Sequence, residues 1–451
     1  GPQVGSSVAA CTSRSIKMGA LKNVSLVVLV VFVAIFAGIY GQRRVKIPAH
    51  LLGHPSIFME DLLSEEQAAR LLALAKEMQS FPTNTQDLKF YKTKHEHIGE
   101  AEAIGADGMC AHPYLVPDSA REQCVLPGRI DIGRHYILAG GVQGLKERYE
   151  DVVSRLLSFG RYMFDYQEYE VVDELFSSEK FQSAAKAVCP PDKQVLDPFQ
   201  FNFIVQLPGQ TVALHVDGVY FWGATRFQFP QWLLAVMQFS GLFQDEFIDQ
   251  IQVVGYFHEW EDLNNTRGGQ FVYWDTADQL PHRVPPLPRA GSIVDGSKTV
   301  HAATVYQPEK KAPAIDKSDN NELNYLGDDK WEVRANGELV ANYVTDDLRW
   351  TIVYRARCFE SEERRQHFHN LPAEEEMQLE DILAKLQADL VARGRFSATQ
   401  LADMSRLDLA LTLMDEYITY PLPPTAIIPY NYCAAMKQWP ATTPFLEPFC
   451  N

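Results

Sequence analysis

Basic charge is what this chain has too little of: 41 Lys and Arg stand against 58 Asp and Glu, a formal net charge of −17. A nucleic-acid binder needs a basic face to displace phosphate counterions, so that class is excluded. Internal repeats and low-complexity tracts are absent, which argues against a solenoid or a disordered linker. Cysteine is sparse, with seven residues. Long apolar runs are scarcer still, since only Val24 to Gly41 runs 18 positions without a charge. What is there is an ordinary globular mixture, 46% hydrophobic and 22% charged over 451 residues, enough to bury a large core.

The one long run is marginal for crossing a bilayer and long for the apolar part of a signal peptide. No small-x-small cleavage pattern follows it, so residues 24–41 are expected to be an uncleaved signal anchor. Arg14, Lys17 and Lys22 before it balance Arg43, Arg44 and Lys46 after it, so charge does not set its orientation. Residues 1–23 form a polar tail with Met18 as a candidate start, and residues 1–17 are set aside from fold reasoning. Cys110, Cys124, Cys189, Cys358, Cys433 and Cys450 follow the anchor, an even set that suits an oxidising lumen with up to three disulfides. Cys110/Cys124 and Cys433/Cys450 lie in loop-like sequence where bridges would act as staples. Six buried thiols in a cytosolic protein are the alternative. The expected setting is a lumenal catalytic part in the endoplasmic reticulum or Golgi. The sequon Asn264-Asn265-Thr266 permits glycosylation.

Residues 42–198 read as a helical and loop-rich supporting region. Ser64-Glu65-Glu66-Gln67 is a capping box opening a helix to about Met78. Residues 80–135 are expected to be irregular, with helices over about Val142–Met163 and Glu170–Val188. Residues 199–358 change character to short strands separated by turns, the pattern of a jelly roll or barrel. The strand-like segments are 199–205, 211–216, 250–257, 268–274, 290–295, 299–305 and 348–358, with an Asn336-Gly337 hairpin over 331–340. The apolar stretch 227–248 is helical and either covers the site as a lid or belongs to the core. Residues 359–451 are read as a charged linker, helices at 373–391 and 398–418, and a Cys-containing tail.

His215 and Asp217 lie two apart on a strand and so point the same way, offering an imidazole and a carboxylate to a metal. His301 on a later strand completes a possible 2-His-1-carboxylate set, which leaves three faces of an iron(II) ion open. His95-x-His97 reads as a solvated loop, His258 as a solvated strand end, and His135 and His282 as structural.

At these residues the sequence resembles the iron(II)- and 2-oxoglutarate-dependent oxygenases, in particular the prolyl and lysyl hydroxylase branch. His215-Val216-Asp217, Gly268-Gly269-Gln270-Phe271, Arg289-Ala290-Gly291-Ser292-Ile293-Val294, His301 and Arg349-Trp350-Thr351 match family motifs in the family's order. The resemblance implies a double-stranded β-helix core in an α+β protein. It also implies His215, Asp217 and His301 as iron ligands and Arg349 with Thr351 on the distal carboxylate of 2-oxoglutarate. Tyr256 and Asn202 are candidate lining residues of that pocket. Many relatives place the carboxylate binder closer behind the distal His, where Lys310 and Lys311 stand here, so Lys311 is the runner-up to Arg349. Iron(II), 2-oxoglutarate and dioxygen are the implied cofactors, with ascorbate as a candidate auxiliary. The implied reaction is C–H hydroxylation, with peptidyl proline or lysine of a secretory protein as the expected substrate. A small-molecule oxygenase, a catalytically silent membrane-tethered binding subunit and a cupin-like metal protein are the rival readings. Oligomeric state is left open.

Overall fold

Eight turn-bounded strands pair into the core of the computed structural model, which describes residues 46–83, 98, 102–106, 110, 115–117, 122–139, 154–260, 267–315 and 319–421. They are β1 (Val195–Gln206), β2 (Val212–His215), β3 (Gln250–Tyr256), β4 (Phe271–Trp274), β5 (His282–Val284), β6 (Gly291–Val294), β7 (Val300–Ala303) and β8 (Arg349–Phe359). One antiparallel sheet runs β6-β3-β8-β1, and the other runs β5-β4-β7-β2. Chain order therefore carries the backbone to and fro between two sheets, the winding of a jelly roll. Ser56–Met59 extends the larger sheet beside β6, and Phe159–Tyr162 extends it beside β1.

Strand β8 explains why the interior is polar. It is buried along its whole length, with alternate residues serving two different environments. Trp350, Ile352, Tyr354, Ala356 and Cys358 join an outer apolar core with Phe201, Phe203 and Val205 of β1. The helices Glu65–Met78, Glu170–Ser177 and Glu179–Lys186 cover that core. Arg349, Thr351, Val353, Arg355 and Arg357 take the opposite face, toward the second sheet. That sheet is two-faced in the same way. Leu214, Val216, Val272, Trp274 and Val300 turn outward into a second apolar cluster with the helices Gln231–Ser240, Leu379–Ala392 and Arg406–Tyr417. His215, His301 and Tyr273 are left on the inner face, with His301 paired to both of the others.

Several local expectations hold. Ser64 and Gln67 close the capping box in both directions, at 3.1 and 2.9 Å. Asn336 and Gly337 both adopt positive φ, as a two-residue hairpin turn demands. Within the region 227–248 the helix Gln231–Ser240 belongs to the core, because every residue from Trp232 to Phe239 is buried.

Other expectations change. Within the helix expected at 142–163, Phe159–Tyr162 is a strand, and residues 140–153 lie outside the described residues. Pairing of Phe159 with Val205 satisfies the open edge of β1, and this outweighs local helical spacing. The region 80–135 holds more order than expected, with a strand at Ser80–Pro82, three short strands between 102 and 125, and the start of the helix Ile130–Ala139. The expected linker after 358 contains the helix Glu362–His369, opened by Ser361 Oγ accepting from the Arg364 N–H (3.2 Å). The helices expected at 170–188 and 398–418 are each broken, at Ser178 and near Ser405, where a serine caps the next helix.

Cys110 bonds Cys124, as expected, and Cys189 bonds Cys358. Cys433 and Cys450, the sequon and the expected anchor at 24–41 lie outside the described residues. Among the described residues no helix is long and apolar enough to cross a membrane. The described residues belong to one compact unit.

Candidate metal centre

Neighbouring strands of the smaller sheet bring His215, Asp217 and His301 together, with one ligand atom of each within 4.8 Å of the others. Pairing of β2 with β7 sets His215 directly against His301, with ring centroids 4.2 Å apart. Asp217 follows the end of β2, and its N–H donates to the Gly296 carbonyl (2.8 Å) in the turn between β6 and β7. His215 Nε2 lies 3.6 Å from Asp217 Oδ1, and His301 Nε2 lies 3.9 Å from Oδ2.

The same device orients both imidazoles. Nδ1 of His215 donates to the Ala213 carbonyl (2.7 Å), and Nδ1 of His301 donates to the Thr299 carbonyl (2.8 Å). A carbonyl oxygen only accepts, so each Nδ1 carries the proton and each Nε2 lone pair is left for the centre. Burial, with His215 beside it, pushes His301 down to about 4 against the pull of Asp217. His301 is thus neutral, as a ligand must be. Burial opposes the charge on Asp217, but Arg355, His215 and His301 outweigh it and hold the carboxyl well below the usual range. Asp217 Oδ2 is buried without a hydrogen-bond partner, although Arg355 Nη2 stands 3.7 Å away. An unsatisfied carboxylate oxygen facing two bare imidazole nitrogens fits a single iron(II) ion on one face.

A second polar feature lies on the same inner face. Arg349 heads β8, is buried, and pairs with no carboxylate among the described residues. Its Nη1 donates to Gln206 Oε1, its Nη2 reaches the Tyr256 hydroxyl (3.4 Å), and its guanidinium lies 5.0 Å from the Tyr256 ring centroid. Nε has no partner. The planar fork of a buried guanidinium suits a carboxylate. Gly269 makes room for it, because a Cβ there would press on Arg349 Cδ and Nε at 3.2 and 3.3 Å.

Thr351 lies on the same face, its Oγ1 donating to the Ile204 carbonyl (2.9 Å). Asn202 is buried in β1 with Nδ2 unpartnered, while its Oδ1 accepts from Gln200 (3.1 Å). Lys311 is exposed. His258 corrects the expectation of a solvated strand end. It is buried, stacked on Trp260 at 3.6 Å and set against the Trp350 and Pro286 carbonyls. His282 is half-exposed near Asp275, His135 sits in the helix Ile130–Ala139, and His95 and His97 lie outside the described residues.

Sequence reasoning missed Arg355, Gln206 and Gly296. Arg355 bonds Gly218 O and Gln250 Oε1 at 3.4 and 3.3 Å and supplies the positive charge nearest Asp217. Its signal was present, since Arg349, Arg355 and Arg357 share one parity along β8. Gly296 is required by close approach, because a Cβ there would overlap the Asp217 carboxylate.

Fold and site together define a jelly roll with a candidate mononuclear metal centre and a buried guanidinium on the same inner face. No family model matches the sequence, and no curated protein matches it. Solved structures that this chain resembles include iron(II)- and 2-oxoglutarate-dependent oxygenases, prolyl hydroxylases among them. A prolyl-4-hydroxylase from Pseudomonas putida is 12% identical over 67% of this chain and 92% of its own, with a TM-score of 0.30. A Trichoplax adhaerens prolyl hydroxylase, in complex with a hypoxia inducible factor peptide fragment, is 9% identical over 73% and 95%, with a TM-score of 0.31. HygX from Streptomyces hygroscopicus, with nickel and 2-oxoglutarate bound, is 6% identical over 68% and 83%, with a TM-score of 0.30.

Proposed function

We propose that this chain is an iron(II)- and 2-oxoglutarate-dependent oxygenase that hydroxylates a C–H bond, with peptidyl proline or lysine of a secretory-pathway protein as its substrate class. The observation that carries this reading is the coexistence, inside one jelly roll, of His215, Asp217 and His301 with the buried guanidinium of Arg349, which pairs with no carboxylate among the described residues. His215, Asp217 and His301 would hold the metal on one face through two Nε2 atoms and one carboxylate. Arg349, flanked by Gln206 and Tyr256, would hold the far carboxylate of 2-oxoglutarate, with the Thr351 hydroxyl on the same strand face. Tyr256 and Asn202 would line that pocket. When bound, iron and 2-oxoglutarate supply the oxidant that places one oxygen atom of dioxygen on the substrate, with release of succinate and carbon dioxide.

In this reading residues 199–358 carry the chemistry, the helices Glu65–Met78, Glu170–Ser177 and Glu179–Lys186 support the larger sheet, and the helices Leu379–Ala392 and Arg406–Tyr417 pack behind the smaller one. The two disulfides favour an oxidising compartment, which is the support for a secretory setting. Protease digestion of the catalytic part on intact microsomes, without detergent, would overturn a lumenal location. The activity is tested by anaerobic iron(II) and 2-oxoglutarate titration, following the visible charge-transfer band of the chelate. The band should form in the wild type, vanish in His215→Ala and weaken in Arg349→Ala. Folded, metal-loaded protein without a band would instead favour a silent binding subunit, and a positive result justifies a peptide substrate screen.

A further inference from the structure

Val216 stands between two of the candidate ligands and just beyond the end of β2, so the strand ladder does not hold its main chain. Side chains from distant parts of the molecule hold it instead. The Val216 N–H donates to the Tyr420 hydroxyl (3.3 Å), and the Val216 carbonyl accepts from Arg129 Nη2 (3.0 Å). Tyr420 in turn donates to Asp131 Oδ2 (3.0 Å), and Asp131 accepts two hydrogen bonds from Arg129, at 3.1 and 3.0 Å. The four residues close a ring, with Asp131 and Tyr420 only 4% and 3% exposed.

The two main-chain groups belong to different peptide planes. The N–H lies in the plane joining His215 to Val216, and the carbonyl lies in the plane joining Val216 to Asp217. Fixing both planes fixes φ and ψ of Val216, and these two angles set the direction of the His215 side chain relative to that of Asp217. Tyr420 follows the helix Arg406–Tyr417 of the C-terminal extension and packs edge-on against Phe239 (5.2 Å) and His135 (5.3 Å). Its placement therefore depends on how that extension seats on the helix Gln231–Ser240.

We propose that Arg129 and Tyr420 are positioning residues for the metal centre, and that the C-terminal extension is thereby part of the catalytic unit. This rests on the metal reading above. Cobalt(II), added to the metal-free full chain and followed by visible absorption, tests it without turnover. Wild type should bind cobalt in a manner abolished by His215→Ala. Tyr420→Phe keeps the ring but loses the hydroxyl, and Arg129→Lys loses the fork. Each should weaken cobalt binding about 10–100-fold, the usual effect of losing an outer partner of a metal site. Both should also shift the absorption bands while leaving the melting temperature of the metal-free protein close to that of wild type. Leu413→Ala loosens the packing of the same extension and removes neither of the side-chain hydrogen bonds to Val216. It should lower the melting temperature while weakening cobalt binding less than either ring variant does. Wild-type affinity and spectra in Tyr420→Phe and Arg129→Lys would overturn the positioning role while leaving the metal reading intact. So would equal weakening by Leu413→Ala, which would mark the ring as packing alone. Failure of the wild type to bind cobalt through His215 would remove the metal reading itself.

Discussion

At the scale of single residues the site is governed by close approach and by charge without a partner. Gly296→Ala would drive a Cβ into the Asp217 carboxylate, so metal affinity should fall by tenfold or more, as for other losses of support around a metal site. Calorimetric titration with nickel(II) reads that directly, and unchanged affinity would show that the turn between β6 and β7 yields freely. Arg349 and Lys311 are separated by environment. Arg349 is buried among Gln206 and Tyr256, whereas Lys311 is exposed. Arg349→Ala should raise the apparent Michaelis constant for 2-oxoglutarate at least tenfold, because truncating one member of a buried charged hydrogen bond costs about 2–5 kcal/mol. Lys311→Ala should leave it within about twofold, that exposed charge being screened. The reverse result would transfer the carboxylate-binding role to Lys311.

At the scale of elements, the two outer faces bear the stability. The helix Gln231–Ser240 is buried on all sides, so Leu234→Ala should cost about 2–5 kcal/mol in denaturant unfolding. A mobile cover would tolerate the change with little loss. The Cys189–Cys358 bond ties the segment after the helix Glu179–Lys186 to β8 and closes a separation of 169 residues. The Cys110–Cys124 bond closes only 14. By loop entropy the first should stabilise more, by about 4–5 kcal/mol against about 3. Replacing both Cys189 and Cys358 by Ala should therefore lower the melting temperature more than the same change at Cys110 and Cys124.

At the scale of the whole molecule, burial of neutral imidazoles sets an acid limit. Burial pushes His258 down to about 3 and His135 to about 4 from an ordinary 6.5. As pH falls below about 6.5 the unfolded chain takes up protons that the folded protein refuses until about pH 4. The unfolded state binds more protons across that window, so stability declines as pH falls through it, by roughly 1–2 kcal/mol per group at pH 5. Denaturant unfolding of metal-free protein at pH 7 and pH 5 should show the decline, and His258→Gln should reduce it. Equal stability at the two pH values would contradict the buried, neutral state of both rings.

Much of this was legible in the chain, for a local reason. Strand alternation puts His215 and Asp217 on one side, and the parity of β8 separates Arg349 and Thr351 from Trp350 and Ile352. Capping at Ser64 and the turn at Asn336-Gly337 are equally local. What depends on residues far apart in sequence was not legible. Phe159–Tyr162 became a strand because β1 offered an open edge, and His258 became core because Trp260 and two carbonyls enclose it. The sequence by itself determined which side chains could serve as ligands and which faces of the strands they occupy, since a period of two needs no tertiary information. Only the tertiary structure decided that Arg355 would stand beside Asp217, that Gly296 would sit beneath its carboxylate, and that Arg129 and Tyr420 would hold the residue between two ligands. Those contacts exist because two sheets and a C-terminal extension meet in space, a consequence of burying both outer apolar faces at once.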